Sequence, residues 1–256
     1  MALFSRHFAK PDAPELVLLH GWGTHSGIWQ PLIAQLEKNY AITLVDLPGL
    51  GRSAADIPQP YTLDAVVELL AEVVPQNVIL LGWSLGGIVA MAFAQRYPQR
   101  VSRLITLGSS PCFVQQDDWS CAMDEATFSG FEQSVAENTG KTLQRFNMLQ
   151  VQGSATARAD LKVLKALLSE IKMPAVDGLL GSLALLRADY RGLYAALQLP
   201  TLHILCELDT LAPSSIVEQL PALSSTAEVR VLPQQSHVPF LSSPDQLAEC
   251  MQGWLQ

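Results

Sequence analysis

Val78-Ile79-Leu80-Leu81-Gly82-Trp83-Ser84-Leu85-Gly86-Gly87 runs straight into Ile88-Val89-Ala90-Met91-Ala92-Phe93-Ala94. The apolar run, the small residues and the second apolar run predict strand, tight turn and helix, with Ser84 at the apex. A G-x-S-x-G turn in that setting holds its serine on a strained elbow, with the hydroxyl clear of the backbone at the end of the strand. Glycines at 82, 86 and 87 let strand and helix approach closely there.

Outward from this turn the same alternation recurs. Leu16–Leu19, Ala41–Val45, Val78–Leu81, Leu104–Leu107, Leu202–Cys206 and Val229–Leu232 read as strands. Pro31–Lys38, Leu63–Val74, Ile88–Tyr97, Pro213–Leu220 and Pro244–Leu255 read as helices. Strands alternating with helices imply a mostly parallel central sheet flanked by helices, an α/β class. Near-continuous apolar strands fit burial on both faces. The alternation breaks after about Pro111 and resumes near Leu197. Between them lie helical patterns at Lys141–Gln150, Ser154–Leu168 and Val176–Leu186, and no convincing strand. The expected organisation is a core of residues 1–110 and 198–256 with a helical cap, 111–197, inserted in it.

An apical serine becomes a nucleophile when a base reaches it and a carboxylate orients the base. Asp209 follows the run Leu202–Cys206, and His237 follows Val229–Leu232. Both stand at carboxyl ends of expected strands, where open α/β sheets collect their ligands. Glu207 competes for the acid role; Asp209 is favoured because the chain has left the strand there. The order Ser84, Asp209, His237 resembles that of α/β-hydrolases. A tetrahedral intermediate needs preorganised N–H donors. Leu85, after the serine, supplies one; Trp22, in the loop His20-Gly21-Trp22-Gly23, supplies the other. His20 reads as a polar brace for that loop. Trp83 packs under the elbow or lines the pocket, and Cys112 lines the pocket or serves as a small inert residue. The glycine-rich segment Asp46–Ser53 lacks the Gly-Lys-Ser/Thr ending of a phosphate loop and reads as scaffold.

The 256 residues are 49% hydrophobic and 16% charged, ample for one large domain and against general disorder. A net charge of −8 argues against nucleic-acid binding over the whole surface. Cys112, Cys121, Cys206 and Cys250 form no C-x-x-C pair, so no metal or redox signature is present, and reduced thiols in a cytoplasmic protein are expected. The N-terminus lacks the apolar core of a signal peptide. The longest apolar stretch, near Gly178–Leu186, is about half the ~20 residues of a membrane span. No cofactor is required by this chemistry, and a monomer is the default.

Leu18–Gly23, Val45–Gly49, Leu81–Gly87, Ser109–Phe113, Arg145–Gln150, Gly153, Thr156–Arg158 and Ser236–Phe240 together resemble the BioH family of pimeloyl-[acyl-carrier protein] methyl ester esterases, within the α/β-hydrolase fold. The likeness runs from about Glu15 to the C-terminus. It implies a serine carboxylesterase of biotin synthesis, with Ser84 as nucleophile, His237 as base, Asp209 as its partner, and Trp22 and Leu85 on the ester oxygen. It further implies that Phe146, Asn147, Met148, Leu149 and Gln150 line an acyl channel under the cap. The alternative is a general carboxylesterase for small free short-chain esters, since a triad does not select a substrate. A binding protein of the same fold is a rival from another class. Within Asn138–Lys172 six basic residues stand against two acidic ones. Lys141 and Arg145, and Arg158 and Lys162, are spaced to share helix faces. Charge alone leaves a solvated face and a docking face open; the resemblance favours docking of an acidic acyl-carrier protein.

Overall fold

A computed structural model describes residues 2–224 and 226–255. Its centre is a seven-stranded sheet of β1 (Ser5–Phe8), β2 (Glu15–Leu19), β3 (Ala41–Val45), β4 (Val78–Trp83), β5 (Val101–Leu107), β6 (Thr201–Cys206) and β7 (Ala227–Leu232), in the order β1-β3-β2-β4-β5-β6-β7. Neighbours pair in parallel except β1, which runs antiparallel to β3 with Ser5 opposite Val45. The chain works outward from β2 in both directions, so the loops after β2 and β4 meet at a topological switch point.

Side-chain alternation along the strands divides the core in two. Val17, Leu19, Val78 and Leu80 face one side, under α2 (Leu63–Ala71) and α3 (Leu85–Arg96). Leu16, Leu18, Ile79 and Leu81 face the other, where α1 (Gln30–Leu36) is packed. Each fully buried aliphatic side chain contributes roughly 1.5–3 kcal/mol.

β1 was not among the expected strands. It is a polar edge strand, exposed along most of its length, so no apolar run announces it. Helix α3 starts at Leu85, a turn before the expected Ile88, because Gly86 and Gly87 belong to the helix and not to the turn.

Between β5 and β6 the chain leaves the sheet. It forms α4 (Glu125–Glu137), α5 (Thr139–Gln150), α6 (Ala157–Leu168), α7 (Val176–Ala184) and α8 (Arg191–Ala195). Of these, α4 and α8 carry no clear apolar period and were not expected. The two ends of the insertion are tied together by a bridge between Cys112 and Asp189, where Tyr190 N–H donates to Pro111 O at 2.8 Å. After β6 the expected helix Pro213–Leu220 is instead a 3₁₀ turn, Ser214–Glu218, followed by α9 (Leu220–Leu223). The chain closes with α10 (Pro239–Ser242) and α11 (Pro244–Leu255), the latter against α1. Among the described residues no helix is long and apolar enough to cross a membrane.

Candidate active site

Ser84 stands between β4 and α3 with φ 54° and ψ −119°, a conformation costly for any residue with a Cβ. Packing holds it there. Its N–H donates to Leu107 O at 2.9 Å, and its carbonyl accepts from Gly87 N–H at 2.9 Å and from Ser109 Oγ at 2.8 Å. A Cβ on Gly82 would lie 2.1 Å from Gly86 O, and one on Gly86 only 2.5 Å from Leu19 O. The elbow therefore exists only with glycine at both positions.

His237, in the loop after β7, and Asp209, after β6, form a buried pair. Nδ1 of His237 donates to Asp209 Oδ2 at 2.6 Å. The other carboxylate oxygen accepts from the N–H groups of Leu211 and Ala212, at 2.8 and 3.0 Å, which fixes the carboxylate's orientation. Glu207 is spent elsewhere: its carboxylate accepts from Gln234 N–H at 2.7 Å. With Nδ1 donating, Nε2 of His237 is the basic ring nitrogen, and it is buried without a hydrogen-bond partner among the described residues. The Trp83 indole, next in chain to Ser84, donates to the His237 carbonyl at 2.8 Å and lies 5.1 Å from its ring. Trp83 is thus packed beneath the elbow, against Phe240, and ties the serine's strand to the histidine's loop.

Gly108 is a positioning element that sequence reasoning did not single out. It has φ +49°, and a Cβ there would lie 3.2 Å from both Asp209 Oδ2 and His237 Nδ1. A glycine directly after the strand ending at Leu107 was the available signal.

The loop after β2 brings Trp22 to the same edge. His20 braces it: Nδ1 donates to Gly21 O at 2.8 Å, and Nε2 accepts from Leu47 N–H at 2.9 Å. Burial pushes this imidazole down to about 4, matching the neutral tautomer that those bonds define. The Trp22 indole donates to Leu179 O at 2.8 Å, and its ring meets Phe131 and Phe146 edge-on at 5.3 and 5.0 Å. No backbone carbonyl among the described residues accepts from the N–H of Trp22 or of Leu85.

A cavity of about 40 Å³ opens beside Ser84, and its remaining walls are apolar, among them Trp22, Phe128, Phe131, Phe146 and Leu186. Of the segment expected to line an acyl channel, Phe146 is in this wall. Asn147 faces a separate cavity, and Gln150 is buried, donating to Asn147 Oδ1 at 3.2 Å. Met148 and Leu149 are corrected: they are 49% and 40% exposed on the outward face of α5, because a helix cannot turn five consecutive residues inward. Lys141 and Arg145 share that outward face, and Arg158 and Lys162 are exposed on α6. Cys112 does not line the cavity; its thiol donates to Val114 O, and burial raises it to about 11, an inert state.

The sequence profile of the alpha/beta hydrolase family matches residues 16–250. The pimeloyl-[acyl-carrier protein] methyl ester esterase of Pectobacterium atrosepticum is 40% identical over 92% of this chain and 91% of its own. That of Pseudoalteromonas atlantica is 37% identical over 96% of each. Among solved structures, an esterase from Exiguobacterium antarcticum superposes with a TM-score of 0.87 at 21% identity, covering 99% of this chain and 95% of that one. The enol-lactonase of Burkholderia xenovorans gives 0.83 at 19% identity, over 99% and 96%. At those identities the two structures speak to the fold.

Proposed function

The chain belongs to the alpha/beta hydrolase family and, within it, to the pimeloyl-[acyl-carrier protein] methyl ester esterases; from that premise we propose that it cleaves the methyl ester of a pimeloyl chain carried on an acyl-carrier protein, releasing methanol in biotin synthesis. The observation that carries the chemistry is the buried His237–Asp209 pair with its free Nε2, in the loops at the sheet edge where an apical serine opens into an apolar cavity.

In the proposed mechanism His237 Nε2 takes the Ser84 proton as the serine oxygen attacks the ester carbonyl. The carbonyl oxygen becomes an oxyanion held by the N–H groups of Trp22 and Leu85, each worth about 2.7–4 kcal/mol of barrier. Asp209 keeps the imidazole in the tautomer with Nε2 unprotonated and stabilises the imidazolium. The tetrahedral intermediate collapses, the C–O bond to the methoxy group breaks, and His237 returns its proton to give methanol. Water then attacks the acyl-enzyme, losing a proton to His237. The new acid departs as Ser84 regains its hydrogen. Residues 111–197 act as a cap whose aromatic side chains cover the acyl chain. Lys141, Arg145, Arg158 and Lys162 form the face that receives the carrier.

Mass spectrometry of pimeloyl-carrier methyl ester incubated with wild type and with Ser84→Ala tests this reading. Wild type is expected to remove one methylene unit of mass with the carrier still attached, and Ser84→Ala to be slower in kcat by about a million-fold. An intact carrier-bound ester beside fast cleavage of short free esters would replace the proposal with a general carboxylesterase.

A further inference from the structure

Trp83 stands where three parts of the site meet. Its backbone ends β4, one residue before Ser84. Its side chain is buried and reaches two further loops. On one edge the indole N–H donates to the carbonyl of His237 itself, at 2.8 Å, and the indole and imidazole centroids are 5.1 Å apart. The opposite edge lies against Gly21, in the loop that carries Trp22. A Cβ on Gly21 would stand 2.8 Å from Cε3 and 2.9 Å from Cζ3 of Trp83, and 3.2 Å from the Cβ of Ser84. The ring therefore admits only glycine there, one peptide bond before the N–H of Trp22.

The indole is clamped in turn. Phe240 meets it edge-on at 4.8 Å and Trp29 edge-on at 6.4 Å, and those two rings lie 4.9 Å apart. All three side chains are buried. A rigid aromatic plate with fixed contacts on both edges sets how far two loops stand from the serine. One loop brings the base, the other an oxyanion donor. Misplacing either by about 1 Å costs on the order of a hundredfold in rate. An ordinary core tryptophan needs apolar neighbours alone. This one spends its single polar atom on the backbone of the base and its far edge on the residue before the oxyanion donor. It has no place in the wall of the cavity beside Ser84, so it does not meet the acyl chain there.

We infer that Trp83 is a positioning residue for the reaction: it acts through His237 and through the Gly21–Trp22 loop, and it governs turnover without governing substrate affinity. The inference rests on the serine mechanism above and is independent of which ester is the natural substrate.

The test uses the full chain, with every rate taken per active site counted by stoichiometric labelling of Ser84 with a p-nitrophenyl alkylphosphonate. Trp83→Phe removes the N–H and keeps a ring. It is expected to lower kcat per site by about tenfold or more on both dimethyl pimelate and the carrier-bound ester, with KM within about twofold. Phosphonylation should slow in proportion, because it uses the same base and the same N–H donors. Gly21→Ala is expected to lower kcat by about tenfold or more in wild type and by clearly less in Trp83→Leu, where no atom stands at the Cζ3 position. Counting sites keeps a loss of folded protein from imitating these results. An unchanged kcat per site in Trp83→Phe, a loss confined to KM, or an equal cost of Gly21→Ala in both backgrounds overturns the inference. Wild type that takes up no phosphonate at Ser84 removes the serine mechanism and the inference together. Wild type that cleaves dimethyl pimelate but not the carrier-bound ester removes the substrate reading alone, and the dimethyl pimelate rates then decide this one.

Discussion

Ser84 is held at φ 54° although it carries a Cβ, and the cost of that backbone is accepted where the hydroxyl is needed. Removing the Cβ should release it. Ser84→Gly is expected to be inactive yet about 1 kcal/mol more stable than Ser84→Ala, despite glycine's larger freedom when unfolded. Urea midpoints of the two variants decide this, and equal midpoints would mean that the elbow is relaxed. Titration of the buried histidines is a second residue-scale consequence. Burial lowers His20 to about 4 and His203 to about 3, and lowers His25 as well, from an ordinary 6.5. The unfolded chain therefore binds more protons than the fold between pH 6.5 and about 4. Stability is complete above that window and is lost as pH falls through it, by about 1.4 kcal/mol per pH unit for each fully unmatched proton. The urea midpoint is expected to drop from pH 7.5 to pH 5, and His203→Gln to shallow the drop. A midpoint that does not change with pH would refute the account.

Helix α7 packs its backbone closely against the core loops, beside the contacts that α6 and α8 make with core helices. A Cβ on Gly178 would sit 2.3 Å from Gly49 O, one on Gly181 2.6 Å from the Tyr61 ring, and Leu179 O receives the Trp22 indole. Gly178→Ala must push backbone against backbone, so a loss of about 1–3 kcal/mol is expected, with reduced turnover because Trp22 loses its anchor. Gly130, in the middle of α4, has open space where a Cβ would go, and Gly130→Ala should stabilise by about 0.5–1 kcal/mol. Urea unfolding of the pair checks the contrast. The same elements show what was legible in the sequence. β2 through β6 announce themselves because central strands are buried largely on both faces and read as apolar runs, whereas the edge strand β7 shows through Val229, Val231 and Leu232 alternating with Glu228 and Arg230. Elbow, acid and histidine follow at strand ends. β1 stays hidden because its side chains are polar and its partner, β3, is set by tertiary pairing. Helix α4 stays hidden because only Phe128 and Val135 are buried along it. Met148 and Leu149 were misplaced for a related reason: resemblance marks a segment, whereas the helical period decides which of its residues face the substrate.

At the scale of the whole molecule, charge and cavity size point the same way. The chain carries −8 overall, yet the outer faces of α5 and α6 present Lys141, Arg145, Arg158 and Lys162, with Met148 and Leu149 exposed among them. An acidic partner is drawn to that face and repelled by most of the remaining surface. The cavity beside Ser84, at about 40 Å³, has room for a few water molecules but not for a pimeloyl chain. Helices α4 and α5 bring Phe128, Phe131 and Phe146 to its wall, and α7 brings Leu183. Binding of a carrier on α5 would thus act on a helix that walls this cavity. Arg145→Glu/Arg158→Glu is expected to cut kcat/KM for the carrier-bound ester by about tenfold or more at low ionic strength, and by less as salt screens the field. The loss on dimethyl pimelate, which has no carrier to dock, should be far smaller. Steady-state rates on both substrates across a salt series measure the difference. Equal losses on the two, unchanged by salt, would mean that the substitutions damage the cap and that the basic face does not receive the carrier.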